Sequence, residues 1–363
     1  MALTKDQIID QLRTVNDPEL HKDLVTLNMV KNVAYGDGVA SITVELTTPA
    51  CPLKETIKRD VEAAVRKLGD EIRQVEVDFT ANVQASPQQK AAENNPLPGV
   101  KHIIAVGAGK GGVGKSTIAV NLAVGLARHE TRVGLMDGDI YGPSLPTMLG
   151  LDDQAARTTG GNMIVPFDVH GIKSITIGKL VEPDKALIWR GPMAHGAFRQ
   201  LATQTDWGEL DYLIIDLPPG TGDVPLTMSQ LLPLTGALVV CTPQKVAQDD
   251  ARRAINMFRQ LNIDVLGMVE NMSYFIGDDG KEYDIFGRGG AEVMARDMDV
   301  PVIGTIPINM ALRENSDAGD PTLNFNAGGT LAEELKRMVQ QLAAQVSVHT
   351  MSGAFQQPTI SIT

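Results

Sequence analysis

One glycine-rich run constrains the fold of this chain more than any other feature. It reads Gly-Lys-Gly-Gly-Val-Gly-Lys-Ser-Thr over residues 109–117, between an apolar segment at 102–106 and a helix-forming segment at 117–127. The spacing G-x-x-x-x-G-K-[ST] between a strand and a helix is typical of a phosphate-binding loop. Glycines let backbone N–H groups close around phosphates, and the helix start adds partial positive charge. We therefore predict a nucleotide triphosphate site, with a plain glycine-rich turn as the alternative interpretation.

The predicted nucleotide-binding residues are the whole run together with one distant amide: Gly109, Lys110, Gly111, Gly112, Val113, Gly114, Lys115, Ser116, Thr117 and Asn271. Lys115 is expected to reach the β- and γ-phosphates, and Ser116 to offer its hydroxyl to magnesium. Asn271 follows an apolar run, and its amide would suit the edge of adenine, although a turn cap is equally compatible with the pattern.

After residue 99, short apolar runs alternate with helix-length segments. The runs lie at 102–106, 132–136, 212–215, 237–240, 265–269 and 302–306. This alternation predicts βαβ units and an α/β, mostly parallel sheet of the P-loop NTPase type. Two further runs, 163–167 and 173–177, predict an added strand pair.

Three carboxylates follow predicted strands, at the sheet edge where open α/β folds bind ligands. Asp139 is expected to position the attacking water and to act in catalysis together with Lys115. Asp137 is expected to support magnesium or the attacking water, and Asp216 to join Ser116 in holding magnesium. An acidic turn is the alternative for Asp137 and Asp139, because Asp-Gly is common in turns.

The domain boundaries are predicted from changes in pattern and composition. Residues 1–83 show a small α+β pattern, and residues 84–98 are polar, proline-containing and aperiodic, which favours a flexible linker. Residues 99–345 form the predicted ATPase domain. Residues 346–363 are rich in Ser, Thr and Gln and predict a disordered tail.

Charge and cysteine content narrow the functional classes. The net charge of −12 and the pI near 5 argue against a nucleic-acid or membrane partner. The two cysteines, Cys51 and Cys241, lie far apart in unlike contexts, so we expect no disulfide and a cytoplasmic location.

Over residues 98–345 the chain resembles the Mrp family of iron–sulfur cluster carrier ATPases. The shared segments begin at Gly109, Asp137, Trp189, Ile215, Thr242, Val269 and Ile285. The first domain resembles a small domain found in iron–sulfur assembly factors, through Asp17-Pro-Glu-Leu20 and Leu46-Thr-Thr-Pro-Ala-Cys-Pro52. The resemblance implies a homodimer, magnesium-dependent ATP hydrolysis and delivery of an iron–sulfur cluster to apo iron–sulfur proteins or assembly factors. It also implies that Lys110 is a catalytic residue that crosses the dimer interface to the partner's nucleotide and acts like an arginine finger; the alternative is a solvated surface lysine.

The chain departs from that family at its cluster ligands. The family's Cys-x-x-Cys pair follows a segment matching residues 269–275, but residues 275–287 here contain no cysteine. Cys51 is the remaining candidate cluster ligand, at a predicted helix start where the pKa of a thiol tends to fall; a half-buried apolar role is the alternative. Cys241 is expected in the core. An iron–sulfur cluster therefore stays only a possible cofactor beside ATP and magnesium.

The absent cysteine pair leaves alternative functions open. A positioning or adaptor ATPase of the MinD or ParA kind would carry no cluster. A membrane-binding version needs a basic amphipathic C-terminal helix, whereas residues 331–344 are balanced in charge. A third possibility is an adaptor whose first domain docks a partner.

Overall fold

The computed structural model describes residues 3–92, 94–161, 163–180, 191–220, 222–326 and 328–355. Among the features singled out from the sequence, Trp189, Arg190 and residues 356–363 of the tail lie outside this description. The chain divides into two compact units, one of residues 1–84 with 343–363 and one of residues 85–342. Each unit is described by itself.

The smaller unit is a three-stranded sheet with helices packed on it. Its elements up to residue 84 are α1 (Lys5–Leu12), β1 (Val30–Gly36), β2 (Val39–Leu46), α2 (Lys54–Arg66) and β3 (Gln74–Ala81). The strand order is β1-β2-β3, with β1 antiparallel and β3 parallel to β2. β2 buries every second residue, as its alternating sequence predicts. Its inward side chains share one core with α2, which confirms the small α+β domain.

Residues 85–98 are packed, so the prediction of a flexible linker is wrong over their described part. Ser86 is fully buried and caps α3 (Pro87–Ala91) by accepting a hydrogen bond from the Gln89 backbone. Its own N–H donates to the carbonyl of Lys101, and the Gln89 side chain donates to Pro233 O at 3.3 Å. The polar composition suggested a flexible linker, but the Ser86 amide and the Gln89 side chain hydrogen-bond to groups of the larger unit.

The larger unit is built on a mixed sheet. Its strands are β4 (Val100–Gly107), β5 (Val133–Asp137), β6 (Arg157–Thr158), β7 (Ile164–Val165), β8 (Phe167–Val169), β9 (Ile172–Ile175), β10 (Leu210–Asp216), β11 (Gly236–Cys241), β12 (Val265–Ile276), β13 (Glu282–Tyr283) and β14 (Val302–Ile308). The order is β13-β12-β11-β4-β10-β5-β9-β8, and β14 pairs with β12. Among the described strand pairs of this sheet, only β12–β13 and β8–β9 are antiparallel. The mostly parallel sheet is confirmed.

Helices cover this sheet or line its edge. They are α4 (Lys115–Ala127), α5 (Leu145–Met148), α6 (Gly191–Thr203), α7 (Asp223–Leu231), α8 (Lys245–Gln260), α9 (Gly290–Met298), α10 (Met310–Asp317), α11 (Leu323–Asn326) and α12 (Gly329–Phe355). α4 is apolar nearly all round and almost wholly buried. The predicted added strand pair is present in altered form, because β8 pairs with β9 while β7 pairs with β6.

The C-terminal helix contradicts the predicted disordered tail over residues 346–355. α12 continues to Phe355, and the residues from 343 onward belong to the smaller unit. Ala343, Val346, Ser347 and Thr350 are buried at helical spacing, and Met351 packs against the core of that unit. The Ser347 and Thr350 hydroxyls donate to backbone carbonyls four residues earlier, so these polar residues are satisfied within the helix.

Among the described residues, no helix is long and apolar enough to cross a membrane. The carboxyl ends of β4, β5, β10 and β12 meet along one edge of the parallel sheet. The predicted site residues therefore converge there.

Candidate nucleotide site

The predicted phosphate loop joins β4 to α4. Gly112 and Gly114 adopt left-handed φ values of 79° and 80°, which other residues rarely adopt. A Cβ added to Gly109 would lie 2.1 Å from the carbonyl carbon of Asp250 in α8. Both features require glycine, so the sequence of the loop follows directly from its backbone path.

Lys115 is held by carboxylates at the base of the loop. Its Nζ lies 2.6 Å from Asp216 Oδ1, 3.8 Å from Asp139 Oδ2 and 3.3 Å from Ser116 Oγ. The side chain is almost fully buried, so these oxygens compensate a charge that burial would otherwise make costly. Phosphate oxygens entering the loop offer the same ammonium group another set of partners.

Asp216 ends β10 and has one unsatisfied oxygen. Its side chain is fully buried, and Oδ2 has no hydrogen-bond partner within the described part of the chain. Burial raises the pKa of this carboxyl, and Lys115 opposes the shift. An orphaned carboxylate oxygen near the Ser116 hydroxyl suits a divalent cation.

Asp137 is engaged by the segment that follows it. Its Oδ1 accepts a hydrogen bond from the backbone of Asp139 at 3.2 Å, and its Oδ2 from Thr176 Oγ1 at 2.9 Å and from the backbone of Leu145 at 3.5 Å. Burial, and next the neighbouring Asp216, raise the pKa of Asp137 to about 8. The geometry is that of a residue that positions the segment 138–145.

Asp139 and Lys110 lie at the open side of the loop. Both line a cavity of about 280 Å³, here called the loop cavity, together with Ser116 and Pro219. Burial raises the pKa of Asp139, and Lys115 lowers it. Lys110 is half-exposed, and neither a hydrogen bond nor an ion pair engages it among the residues described.

A second cavity, here called the apolar cavity, adjoins the first. It has a volume of about 590 Å³ and shares Gly114, Thr117 and Met148 with the loop cavity. Asn271 lines it and donates from Nδ2 to the carbonyl of Val113 at 2.9 Å, so this amide also anchors the loop. Pro307 in β14 and Asn309, which caps α10, line it too.

The sequence patterns did not identify several residues of the apolar cavity: Ile285, Phe286, Ile308, Leu312, Arg313, Ser316 and Asp317. They come from the segment before α9, from the end of β14 and from α10. Ile285 and Phe286 lie in a segment that the family resemblance includes, but no sequence pattern indicated that they line a cavity, and their exposure is visible only once the fold is known.

The loop after β10 borders a third cavity, of about 530 Å³, next to Asp139. His195 lines it with Nε2 buried and unpartnered among the described groups, 4.0 Å from Asp223 Oδ2. Gly220, in the same loop, donates its N–H to Ala108 O at 2.9 Å.

The two cysteines lie away from this site, in different units. Cys51 is partly buried three residues before α2 begins, and burial raises the pKa of its thiol to about 11, with Glu19 and Asp17 adding to the shift. The expectation of a lowered pKa is therefore wrong, because desolvation outweighs the nearby backbone amides. Cys241 is buried in β11, as predicted.

The segment where relatives of the Mrp type would carry a cysteine pair is an acidic hairpin here. Asp278, Asp279, Glu282 and Asp284 are exposed, and Glu282 pairs with Arg288. Among the described residues, no group of three His, Cys, Asp or Glu side chains is arranged to hold a metal ion.

A phosphate loop, strand-end carboxylates and a parallel sheet define this chain as a P-loop nucleotide-binding protein of the α/β class. Residues 99–343 match the family model described as NUBPL iron-transfer P-loop NTPase, and residues 5–79 match that of iron–sulfur cluster assembly protein. The chain belongs to this family of iron-transfer P-loop NTPases and carries the additional assembly domain at its N-terminal side.

Individual relatives agree with this assignment. The chain is 48% identical over 352 residues to the iron–sulfur cluster carrier protein of Synechocystis, covering 95% of this chain and 99% of the relative. It is 40% identical to the protein of the same name from Escherichia coli, covering 92% and 90%.

Solved structures give the same fold. A nucleotide-binding protein from Archaeoglobus fulgidus in complex with ADP is 39% identical, with a TM-score of 0.56, and the match covers 62% of this chain and 89% of that one. The cell division ATPase MinD of Pyrococcus furiosus is 21% identical, with a TM-score of 0.50 over 66% of this chain and 97% of that one, a likeness of fold alone.

Proposed function

We propose that this chain is a magnesium-dependent ATPase that acts as a nucleotide-bridged homodimer and carries or scaffolds an iron–sulfur cluster for apo-proteins. The buried Lys115–Asp216 pair with the adjacent Ser116 hydroxyl, at the base of the phosphate loop, is the observation that carries the ATPase part. The names of the relatives, iron–sulfur cluster carrier proteins, support the cargo.

In this proposal ATP enters with its phosphates in the loop cavity and its nucleoside in the apolar cavity. Lys115 exchanges Asp216 for phosphate oxygens, and the N–H groups around Gly112 and Gly114 cradle the same oxygens. The ADP bound by the Archaeoglobus nucleotide-binding protein supports a nucleotide of this class.

The residues present fit a magnesium ion. Ser116 Oγ and the unpartnered Asp216 Oδ2 would hold it, Asp216 directly or through water, with phosphate oxygens completing the shell. The ion would neutralise charge that develops on the phosphates. Asp137 then contributes by fixing the segment 138–145, since both of its oxygens accept hydrogen bonds from protein groups.

Hydrolysis requires a positioned water molecule and a cation near the negative charge that develops on the phosphates. Asp139 faces the loop cavity, and its raised pKa suits a carboxyl that accepts a proton from water. Lys110 faces the same cavity without a carboxylate partner among the described residues. This arrangement supports a role across a dimer interface, in the manner of an arginine finger.

The ATPase and dimer are tested together. Phosphate release is measured with ATP and magnesium, with EDTA in place of magnesium, and for the variants Ser116→Ala and Asp216→Asn. Light scattering with ATP and with ADP reports the oligomeric state. We expect hydrolysis to need magnesium and the dimer to need ATP; hydrolysis that persists in EDTA, or a monomer with ATP, would contradict the respective part.

The cargo needs a separate test, because the chain has no Cys-x-x-Cys pair. Cys51 in the smaller unit is the candidate ligand, and a bound metal would have to displace its proton, since the pKa of the thiol is about 11. Iron and sulfide are measured after anaerobic reconstitution of the wild type and of Cys51→Ala. We expect the variant to lose iron; absence of iron from both proteins would exclude carriage by this chain.

The missing cysteine pair favours one second candidate, an adaptor ATPase of the MinD or ParA kind without a cluster, at work in the cytoplasm. The charge of α12 weakens a membrane-binding version, since Glu334 pairs with Arg337 on a helix of mixed charge. Co-sedimentation with liposomes and with DNA, each with and without ATP, distinguishes this candidate from the first.

A further inference from the structure

The hairpin between β12 and α9 carries exposed apolar side chains beside the candidate nucleotide site. This segment, residues 277–289, is here called the arm. Ile285 is 56% exposed and Phe286 38% exposed, and both line the apolar cavity. Large apolar side chains are usually buried, so two adjacent ones exposed on a cavity wall indicate a surface for binding a ligand.

The apolar cavity is where a nucleoside would extend from the loop. It shares Gly114, Thr117 and Met148 with the loop cavity, so the two cavities adjoin at these residues. Its remaining wall includes Pro307 and Leu312. A flat aromatic base entering this space would meet apolar groups from β14, from α10 and from the arm.

The near end of the arm is fixed to the sheet. β12 and β13 pair through Phe275 with Tyr283 and through Ile276 with Glu282. The turn between them closes with a hydrogen bond from Gly277 N to Lys281 O at 2.9 Å. These contacts define the path of the chain up to the residues just before Ile285.

The far end is fixed by a buried carboxylate. Glu270, fully buried in β12, accepts hydrogen bonds from Ala291 N at 2.7 Å and from Gly289 N at 3.2 Å. The next residue, Asn271, holds the phosphate loop through Val113 O. One strand therefore anchors both the loop and the arm, and Ile285 and Phe286 are held in place between two anchors.

We propose that Phe286, supported by Ile285, forms the arm-side wall of the base site and contacts the nucleobase of the bound nucleotide. This inference rests on the proposed nucleotide site and deepens it. It makes the arm a direct part of nucleotide recognition, in the segment where a cysteine pair is absent.

The test compares ligands with and without a base. Affinities of the wild type and of Phe286→Ala are measured for ATP, ADP and inorganic tripolyphosphate, all with magnesium. Loss of contact between an aromatic ring and a base is expected to weaken ATP and ADP by roughly 5- to 100-fold, while tripolyphosphate binding stays unchanged. Phe286→Trp should restore most of the affinity, because it keeps an aromatic surface.

A matched pair controls for general damage to the arm. Ile285→Ala should weaken ATP, whereas Ile276→Ala, an equal truncation on the same hairpin that does not line the cavity, should leave ATP affinity unchanged.

Three results would overturn the inference. Equal ATP affinity in wild type and Phe286→Ala would refute the contact between Phe286 and the base and leave the proposed nucleotide site standing. Equal losses for ATP and tripolyphosphate would indicate a structural effect. A wild type that binds neither ligand would refute the proposed nucleotide site and the inference with it.

Discussion

At the residue scale, burial decides how the charged groups of the site behave. Asp137, Asp139 and Asp216 all have raised pKa values, and in each case desolvation is the largest cause. Lys115 offsets part of that cost for Asp216 and Asp139. The sequence predicted that these three carboxylates share one site, but only the fold shows which group each of them contacts.

Asp137 is expected to make the nucleotide-free protein less stable as the pH rises. The native state retains its proton up to about pH 8, whereas the unfolded chain releases it near the ordinary value of 3.8. Unfolding therefore releases a proton between these values, so the free energy of unfolding falls as the pH rises through this window. In Asp137→Asn, thermal unfolding between about pH 5 and pH 8 should show a shallower decline of Tm; an unchanged slope would contradict the raised pKa.

Lys110→Ala should abolish hydrolysis while leaving ATP affinity nearly intact. A cation that stabilises the transition state in trans is worth on the order of 10³-fold in turnover. Lys245→Ala removes a surface lysine paired with Asp249 and serves as the control for lost charge. Steady-state turnover and ATP affinity are measured for both variants, and full turnover in Lys110→Ala would refute the role in trans.

Cys51 should react slowly with alkylating reagents. With the pKa of its thiol at about 11, the thiolate fraction near neutral pH is small. The rate of modification by iodoacetamide should rise steeply only above about pH 9, with Cys51→Ala reporting any contribution of the buried Cys241. Alkylation near neutral pH as fast as that of a free thiol would contradict the effect of burial.

At the element scale, the phosphate loop depends on close backbone approaches as much as on its lysine. The backbone of α8 lies against Gly109, and the Asn271 amide lies against Gly114. The glycine pattern could be recognised from sequence, but the neighbours that demand it come from β12 and α8, more than 130 residues further along the chain.

Two glycine substitutions separate these constraints. Gly109→Ala would place its Cβ 2.1 Å from the Asp250 backbone, so the loop must shift and ATP binding should be lost. Gly111→Ala has only Pro219 within reach, at 3.9 Å, and should leave Tm unchanged. Calorimetric ATP titration and thermal unfolding check both variants; equal behaviour of the two would refute the crowding argument.

At the scale of the whole molecule, the last described part of the chain belongs to the same unit as the first 84 residues. Residues 343–355 belong with the unit of residues 1–84, although the sequence suggested a disordered tail from residue 346. The buried stripe of α12 over residues 343–350 has helical spacing, but serine and threonine within it conceal the pattern.

Met351→Asp tests whether the end of α12 stabilises the smaller unit. Met351 is partly buried and packs against the core of the smaller unit, and a charge placed against that core should lower stability by about 2 kcal/mol. Ser352→Asp places the same charge on the exposed neighbour and should be nearly neutral. Denaturant unfolding of the full chain gives the comparison, and equal effects would show that α12 does not stabilise this unit.

The sequence by itself determined the phosphate loop, the alternation of strands and helices and the carboxylates at strand ends, because glycine spacing and hydrophobic periodicity are local properties of the chain. Only the tertiary structure decided that Lys115 pairs with Asp216, 101 residues away, and that Asn271 anchors Val113, 158 residues away. It also placed Phe286 on the wall of the apolar cavity and gave hydrogen-bond partners to Ser86 and Gln89 in a segment that the sequence suggested as a linker. These arrangements depend on which surfaces the fold brings together and how deeply it buries them, and no local pattern records either.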